Sequence, residues 1–377
     1  MKITQVEAIY LSLPEIAQRT DSSQDALLIR IDTDAGITGW GEVDSCPAVV
    51  AATVAAPSSH TLVNGLRDLL LGENPLAIGS LWDKMWNATL YFGRYGAVVH
   101  AMAGIDLALW DIKGKALDLP VHLLLGGGGR YRSEIRAYAS NMMQMTPDAT
   151  AARAREVVEQ GFTAMKFGWE PLGPDAEFDC QLISAIRDAI GPKAELMIDA
   201  GLAWDAKTAI QRCRLFEPYN LYWLEEPLGP DDLRGYARLS AAVDTRIAAG
   251  EEEATVEGYR RLMDEGRIDV VQVDVTRTGL TQAIRIAEMA HRRGLPCANH
   301  TFTTDINVAA SLHFLAAIPN AIILEYGVEP SDIARNLAKE PIRIEDGIAR
   351  VPTAPGLGVE IDEAIVARYR RDPLAGG

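Results

Sequence analysis

The chain has 377 residues, of which 48% are hydrophobic and 23% charged, so it is long enough for two globular domains. Its formal net charge of −16 excludes a partner with a phosphate backbone or an anionic membrane surface, because both select clustered lysine and arginine. No C-x-x-C pair, apolar signal-peptide core or bilayer-length apolar run is present, which predicts a soluble cytoplasmic protein with reduced cysteines.

The first 125 or so residues predict a separate α+β domain. The segment ALLIRIDTDAGITGWGEV reads as two strands joined by a turn at DAGITG, and a helix is expected from about Ala97 to Leu117. The glycine-rich segment HLLLGGGGRYR follows as a junction. It is not a phosphate loop, because it lacks the Lys-Ser/Thr ending and does not follow a strand.

From about residue 134 the sequence repeats a short apolar run, a polar residue and an amphipathic helix, which is the pattern of a βα unit. The polar residues that end these runs are evenly spaced: Ser140, Lys166, Asp199, Glu225, Glu251, Asp274, His300 and Glu325. Eight such runs predict a parallel barrel over residues 126–327, with the active site at the carboxyl ends of its strands.

Beyond this region, the segment PIRIEDGIARVPTAPGLGVEI predicts a hairpin and a tail. We expect residues 328–377 to return to the first domain and complete it.

Three consecutive strand ends carry a carboxylate: Asp199, Glu225 and Glu251. Neighbouring strands lie about 5 Å apart, so these side chains converge, and their oxygen atoms suit Mg²⁺. Single acidic residues at such places usually cap helices, but three in succession after apolar strands favour a metal. A cation also explains why the apolar run LYWLEEP ends in two carboxylates, whose burial is otherwise costly. Glu226 is expected to point to the opposite face and only to support the ligands.

Asp274 and His300 end the sixth and seventh strands and are therefore neighbours in the predicted barrel. A carboxylate bonded to one imidazole nitrogen raises the basicity of the other, which predicts that His300 is a general base. Lys166 and Glu325 are either salt-bridge partners at the rim or contribute to the chemistry. In the second case Lys166 adds positive charge, and a protonated Glu325 donates a hydrogen bond.

Taken together, these residues resemble the enolase superfamily, in the branch named after mandelate racemase and muconate lactonizing enzyme. The resemblance covers nearly the full length, through GIDLALWDIKGKALDLPVHLLLGG, GFTAMK, LMIDA, WLEEP, AAGE, DVVQVD, ANH, ILE and PGLGVEI. It implies an α/β fold, a modified TIM barrel of the (β/α)7β type with an N-terminal α+β capping domain, and a homo-oligomer. It also implies Mg²⁺ on Asp199, Glu225 and Glu251, and abstraction of the proton α to a carboxylate.

The second strand departs from the pattern of the racemases in this branch. They resemble one another in a lysine, any residue, lysine motif, whose second lysine is a base, and Gly168 stands at that place here. A single base on one face of the α-carbon favours loss of a β-hydroxyl, with His300 returning its proton to the leaving group. We therefore expect dehydration of a sugar acid, an aldonate or aldarate, to a 2-keto-3-deoxy acid.

Three other interpretations remain open. A racemase, epimerase or cycloisomerase of the same superfamily could use Lys166 as its second base. A metal-dependent hydrolase is disfavoured, since its ligands usually include histidine. A catalytically inactive metal-binding protein is disfavoured by the Asp274/His300 pair.

Substrate contacts are predicted from position. Asn141, Trp169 and Thr301 lie on the expected rim, and Arg94 could meet a second anionic group or form an exposed salt bridge. QRTDSSQD (18–25) and YFGRYG (91–96) are candidate lid or substrate loops, and Gly201 stands where an asparagine is common in the family.

Overall fold

A computed structural model describes residues 1–16, 23–126, 132–329 and 331–373. Its strands are β1 (Ile3–Ser12), β2 (Asp25–Thr33), β3 (Thr38–Val43), β4 (Glu134–Met142), β5 (Ala164–Gly168), β6 (Glu195–Asp199), β7 (Trp223–Glu225), β8 (Ile247–Ala249), β9 (Val270–Val273), β10 (Cys297–Asn299), β11 (Leu324–Gly327), β12 (Ile344–Glu345), β13 (Ile348–Arg350) and β14 (Arg370–Arg371). Its α-helices are α1 (Pro47–Ala55), α2 (Leu66–Leu70), α3 (Ile78–Ala88), α4 (Ala97–Leu117), α5 (Val121–Leu124), α6 (Pro147–Glu159), α7 (Ala176–Ile190), α8 (Ala206–Phe216), α9 (Leu233–Ser240), α10 (Val256–Arg261), α11 (Val275–Thr278), α12 (Leu280–Arg292), α13 (Asp305–Ala317), α14 (Asp332–Asn336) and α15 (Glu363–Tyr369).

The N-terminal domain is an antiparallel sheet in the order β14–β1–β2–β3, with α4 packed against it. A turn joins β2 to β3 as the sequence predicts, and α4 has the predicted bounds. Strand β3 lies very close to α4, because a Cβ atom added at Gly41 would lie only 2.0 Å from the carbonyl oxygen of Gly104. Glycine at this position therefore allows β3 to pack closely against α4.

The second part of the chain is a barrel of eight parallel strands, β4 to β11, as the sequence predicts. Each strand from β4 to β9 pairs with the next, β11 pairs with β4, and an isolated bridge between Cys297 and Ala321 closes the ring. Helices connect successive strands, which gives the expected (β/α)7β order. One cluster of buried side chains comes from seven of these strands and from the residue before β11: Tyr138, Ala164, Met197, Trp223, Ala248, Val270, Ala298 and Ile323.

The tail differs in part from the expectation. The predicted hairpin exists as β12 and β13, but it pairs with β4 of the barrel, not with the N-terminal domain. The reason is that β4 starts at Glu134 and pairs with β5 only from Ala139, which leaves an edge for β13. Return to the N-terminal domain comes later, through Leu357, whose N–H donates to Asp111 of α4, and through β14 beside β1.

Two sequence predictions fall partly outside the described residues. These are the glycine-rich junction, of which 127–131 is not described, and the first candidate loop, of which 18–22 is not described. Within the described ranges, no helix is both long enough and apolar enough to cross a bilayer.

Candidate active site

The polar residues that the sequence places at strand ends lie at one end of the barrel. Asp199 and Glu225 are the last residues of β6 and β7, whereas Asp274 and His300 directly follow β9 and β10. Glu251 lies two residues beyond β8.

Four of the eight predicted strand ends differ from the structure by two residues: Glu251 lies beyond its strand, and three others lie within theirs. Ser140, Lys166 and Glu325 lie inside β4, β5 and β11, each two residues before the strand ends. These strands continue because the following residues still pair with a neighbouring strand, as Met142 does with Gly168. Residues two apart on a strand share a face, so each of the three side chains lies on the same face as the last residue of its strand. All three remain close to the carboxyl ends of the strands.

These side chains surround a cavity of about 310 Å³ between the barrel and the N-terminal domain. Its lining residues are Asp44, Ser140, Asn141, Met142, Lys166, Trp169, Asp199, Glu251, Arg277, His300, Phe302 and Glu325. Glu225 lies beneath the cavity and is wholly buried.

Lys166 is the centre of a buried charge network. Its Nζ atom donates a hydrogen bond to Oε1 of Glu225, and it lies 2.7 Å from Oε1 of Glu325 and 3.6 Å from Oδ2 of Asp199. Burial opposes the charge on Lys166, but attraction by Glu225 and Glu325 outweighs it and raises the pKa of Lys166 well above its usual value. These carboxylates therefore favour the charged form of Lys166.

Glu325 is the partner of this cation. Burial raises its pKa, but attraction by Lys166 and His300 dominates and lowers the pKa of Glu325 overall. Of the two alternatives for Glu325, this ion pair with Lys166 favours the salt-bridge partner over the protonated donor. The Oε2 atom of Glu325 accepts a hydrogen bond from the N–H of Thr301 at 2.9 Å.

Among the described residues, the three carboxylates predicted to hold a metal, Asp199, Glu225 and Glu251, do not form a group whose ligand atoms all lie within 4.8 Å of one another. Asp199 and Glu251 line the cavity, whereas the two oxygen atoms of Glu225 accept hydrogen bonds from Lys166 and from Nε1 of Trp223. Glu251 lies in a group with Glu226 and Glu252 in which one oxygen atom of each lies within 4.8 Å of the others.

Glu226 does not point away from the site. Strand β7 ends at Glu225, and Glu226 has a φ angle of 36°, so its carboxylate turns toward the next loop. There its Oε1 atom accepts a hydrogen bond from Gly250 N–H at 3.3 Å. Burial, and then repulsion by Glu251, raises the pKa of Glu226 well above its usual value.

The composition of this cluster fits Mg²⁺. Asp199, Glu225, Glu226 and Glu251 are all buried, and Lys166 is the one lysine that they contact directly among the described residues. Burial raises the pKa of Asp199 and of Glu251, although attraction by Lys166 opposes the rise. Oxygen ligands with excess negative charge are what Mg²⁺ requires.

His300 and Asp274 form the predicted pair. The Nδ1 atom of His300 lies 2.7 Å from Oδ2 of Asp274, and the other Asp274 oxygen accepts hydrogen bonds from N–H and Oγ1 of Thr276. The Nε2 atom of His300 lies 3.5 Å from Oε1 of Glu251, on the cavity side. Burial lowers the pKa of His300, but Glu251 and Asp274 outweigh it and raise the pKa to about 10.

The predicted substrate contacts divide into two groups. Trp169 and Asn141 line the cavity, and Nε1 of Trp169 donates to Asp199 at 3.2 Å. Thr301 is wholly buried and holds Glu325, so it does not line the cavity. Arg94 lines a separate cavity of about 510 Å³ with Trp86 and Tyr95, so the structure does not bring it or its loop to the carboxylates.

Two glycines shape this site. A Cβ atom on Gly168 would lie 2.4 Å from Cβ of Asp199 and 2.6 Å from its carbonyl oxygen. Position 168 therefore has no room for a side chain, and the missing second lysine has a steric cause. A Cβ atom on Gly201 would lie 3.0 Å from the Trp169 ring, which occupies the space that an asparagine would need.

Sequence reasoning missed four residues that line the cavity: Asp44, Met142, Arg277 and Phe302. Asp44 closely follows β3, so a search for polar residues after strands would have found it in the N-terminal domain. That search could not have shown that this strand points into the barrel mouth.

Comparisons with known proteins agree with this architecture. Residues 3–126 match the family model "Mandelate racemase / muconate lactonizing enzyme, N-terminal domain", and residues 149–365 match "Enolase C-terminal domain-like". The chain is similar to D-galactarolactone cycloisomerase from Agrobacterium fabrum, with 32% identity, over 91% of each chain. It is also similar to D-galactonate dehydratase from Ralstonia pickettii, with 34% identity, over 92% of this chain and 91% of that one.

Solved structures are equally similar. The 3,6-anhydro-D-galactonate cycloisomerase from Zobellia galactanivorans has a TM-score of 0.89 and 32% identity, over 99% of this chain and 100% of that one. A racemase from Streptomyces coelicolor A3(2), solved with bound magnesium, has a TM-score of 0.86 and 29% identity, over 98% of this chain and 100% of that one.

Proposed function

Since the chain belongs to the mandelate racemase/muconate lactonizing enzyme branch of the enolase superfamily, we propose that it is a Mg²⁺-dependent dehydratase of sugar acids. Its substrate class is an aldonate or aldarate, and its product is the corresponding 2-keto-3-deoxy acid. Relatives at about the same identity that are named dehydratases of galactonate, xylonate and arabinonate support this class.

The observation that carries the proposal is the asymmetry of the bases. His300 with Asp274 lies on one side of the acidic cluster, and the backbone of Asp199 leaves no room for a base at position 168. Lys166 contacts three carboxylates, and attraction by Glu225 and Glu325 raises its pKa, which favours its charged form over a role as second base. A site with one base can remove a proton and return it on the same face, which suits elimination better than inversion.

The proposed roles follow from these positions. Asp199, Glu225 and Glu251, with Glu226 behind them, would hold Mg²⁺, which would bind the substrate carboxylate and stabilise charge that develops on it. Lys166 adds a fixed positive charge on the same side. A cation on Glu251 would also weaken the attraction that raises the pKa of His300 and so make it a better base.

Nε2 of His300 takes the α-proton, and the electrons of the C–H bond form the double bond to the β-carbon. The β-hydroxyl leaves with the proton that His300 returns, so one water is lost and an enol remains. The enol tautomerises to the 2-keto acid. General-base catalysis contributes about 10²- to 10⁴-fold, so electrostatic stabilisation by the cation and Lys166 must supply most of the roughly 8 to 23 kcal/mol that enzymes remove from a barrier.

A cycloisomerase is the second candidate, and the relatives of that name favour it specifically. A lactone or anhydro-sugar acid can open by the same α-proton abstraction when its ring oxygen leaves from the β-carbon. The same single base would serve both reactions.

A panel of aldonates, aldarates and sugar-acid lactones, incubated with Mg²⁺ in D₂O, tests the proposal. Formation of a 2-keto acid from an open-chain acid supports dehydration. Conversion of lactones or anhydro acids alone supports the cycloisomerase. Deuterium at the α-carbon with inversion and no keto acid indicates an epimerase, and no reaction of folded, Mg²⁺-bound protein with any member indicates an inactive binding protein.

A further inference from the structure

The end of β3 in the N-terminal domain contacts the catalytic loops of the barrel. Asp44 lies one residue beyond β3, and its Oδ2 atom accepts a hydrogen bond from Nη2 of Arg277 at 2.9 Å. Both residues line the same cavity as Lys166 and His300. The contact therefore joins the two domains inside the site.

Arg277 touches two parts of the catalytic centre besides Asp44. It lies on α11, three residues after Asp274, and its Nη1 atom donates to the carbonyl oxygen of Glu251 at 2.7 Å. Its Nε atom lies 4.0 Å from Oδ2 of Asp274, beyond hydrogen-bond distance. One guanidinium group thus connects the loops after β8 and β9 to the N-terminal domain.

The orientation of Arg277 bears directly on the base. The Asp274 oxygen that Arg277 approaches is the one that His300 Nδ1 bonds at 2.7 Å. Without Asp44, the guanidinium would lose its charged partner and would be drawn to this oxygen, in competition with His300. One ligand atom each of Asp44, Asp274 and His300 lies within 4.8 Å of the others, and Nε of Arg277 is already 4.0 Å from Oδ2 of Asp274.

A second contact fixes where Asp44 lies. Glu42, at the inner end of β3, is wholly buried and accepts hydrogen bonds from Oγ1 of Thr304 at 2.8 Å and from N–H of Asn307 at 3.0 Å. Thr304 caps α13, the helix that follows His300. The same strand end is thus attached to the loops that carry both members of the base pair.

We propose that Asp44 is a positioning residue: by holding Arg277 away from Asp274, it keeps Asp274 bonded to His300, so that the N-terminal domain takes part in orienting the base. The proposal deepens the proposed function, on which its kinetic readout rests. An NMR readout that needs no substrate tests the positioning role by itself, so a failure of that role can be distinguished from a failure of the proposed function.

The experiment compares wild type with Asp44→Asn, Arg277→Gln and the double variant in the Mg²⁺-loaded protein. Asp32→Asn is the matched control, because it removes a carboxylate of the same domain that pairs with Arg30 outside this site. The kinetic readouts are kcat, KM and the rate of α-proton exchange. The structural readout is the NMR signal of the His300 Nδ1 proton, identified by its loss in His300→Asn.

We expect Asp44→Asn to lower kcat by about 10- to 100-fold, the range typical of residues that orient catalytic ligands, while KM changes little. The His300 proton signal should shift or broaden in this variant but not in Asp32→Asn. The kcat of the double variant should be no lower than that of Arg277→Gln alone, because Asp44 acts through Arg277.

An unchanged kcat, a rise in KM alone, an unmoved proton signal or additive losses would each overturn the proposal. Asp44→Glu retains the carboxylate, so its kcat should fall less than that of Asp44→Asn. If Asp44→Asn does not fold, Asp44→Glu takes its place in the NMR comparison. If no substrate is turned over by wild type, a shifted signal still supports the positioning role while the proposed function fails.

Discussion

The ammonium group of Lys166 lies 2.7 Å from Oε1 of Glu325, although strand β4 lies between the strands that carry them. The two side chains meet across β4 because both point into the mouth of the barrel, and Glu225 contacts the same ammonium from the other side. Lys166 is thus held between carboxylates as a fixed charge.

Replacement of Lys166 by methionine should destabilise the metal-free protein by about 3–5 kcal/mol, because it leaves buried carboxylates without their partner. Denaturant unfolding in the presence of a chelator measures this loss. Lys339→Met is the control, since its ion pair with Glu360 is exposed to solvent and should contribute little to stability. Mg²⁺ should reduce the loss of stability in Lys166→Met. An equal loss of stability in Lys166→Met and Lys339→Met would contradict the buried charge network around Lys166.

Mg²⁺ should stabilise the protein and be required for activity. At a concentration of 100 times Kd, a ligand that binds only the folded state adds about 2.7 kcal/mol to the free energy of unfolding. Asp199→Asn and Glu251→Gln should lose this gain, whereas Glu257→Gln, which removes an exposed carboxylate in α10, should retain it. Thermal unfolding with chelator and with Mg²⁺ measures the gain, and no shift in wild type would exclude the metal site.

His300→Asn should lower the rate of α-proton exchange by about 10²- to 10⁴-fold, the usual contribution of a general base. Exchange in D₂O isolates this step from loss of the hydroxyl. His291→Asn, at an exposed position of α12, should exchange as wild type does. Exchange that survives loss of His300 would mean that another group removes the proton.

Gly168→Ala should destabilise the protein by about 1–3 kcal/mol, because the new methyl group overlaps Asp199. Gly168→Lys should therefore impair Mg²⁺ binding and should not create a racemase. Gly79→Ala, in helix α3 with open space around it, is the control and should be neutral or slightly stabilising. Denaturant unfolding and chiral analysis of the substrate test both statements. A stable Gly168→Lys protein that racemises would show that the steric argument is wrong.

Glu42 should make stability depend on pH. Burial raises its pKa to about 8, above the ordinary value of 4.5, although hydrogen bonds from Thr304 and Asn307 oppose the rise. The folded state then binds the proton more tightly than the unfolded state does. The stabilising contribution is fully present below pH 4.5, declines as the pH rises and is lost above about pH 8.

Glu42→Gln removes this titration, so its free energy of unfolding should fall less than that of wild type between pH 5 and pH 8.5. The difference should be at most about 1.4 kcal/mol for each pH unit within the window. Parallel pH profiles for the two proteins would contradict the assignment to Glu42.

The sequence was sufficient for the barrel because its evidence is local and repeated. Each strand is a short apolar run with a polar residue near its end, and each connection is an amphipathic helix, so the order of elements and the faces of Asp199, Glu225 and His300 follow from periodicity. The strand ends at Lys166 and Glu325 were misplaced, since only pairing with a neighbouring strand decides where a strand stops.

The remaining features depend on contacts between distant segments. The lowered pKa of Glu325 comes from Lys166, and the excluded side chain at Gly168 comes from the path of β6. Glu226 turns toward Glu251 because β7 ends one residue earlier. Arg94 was expected in the site from its residue type alone, and nothing in its own segment could show that it faces another cavity.

Strand β14 has a consequence for the order of biosynthesis. It pairs with β1, although the whole barrel lies between the two in the chain, so the ribosome releases every barrel strand before the sheet gains this edge. A nascent chain can therefore complete its β/α units while the N-terminal sheet still has an open edge at β1.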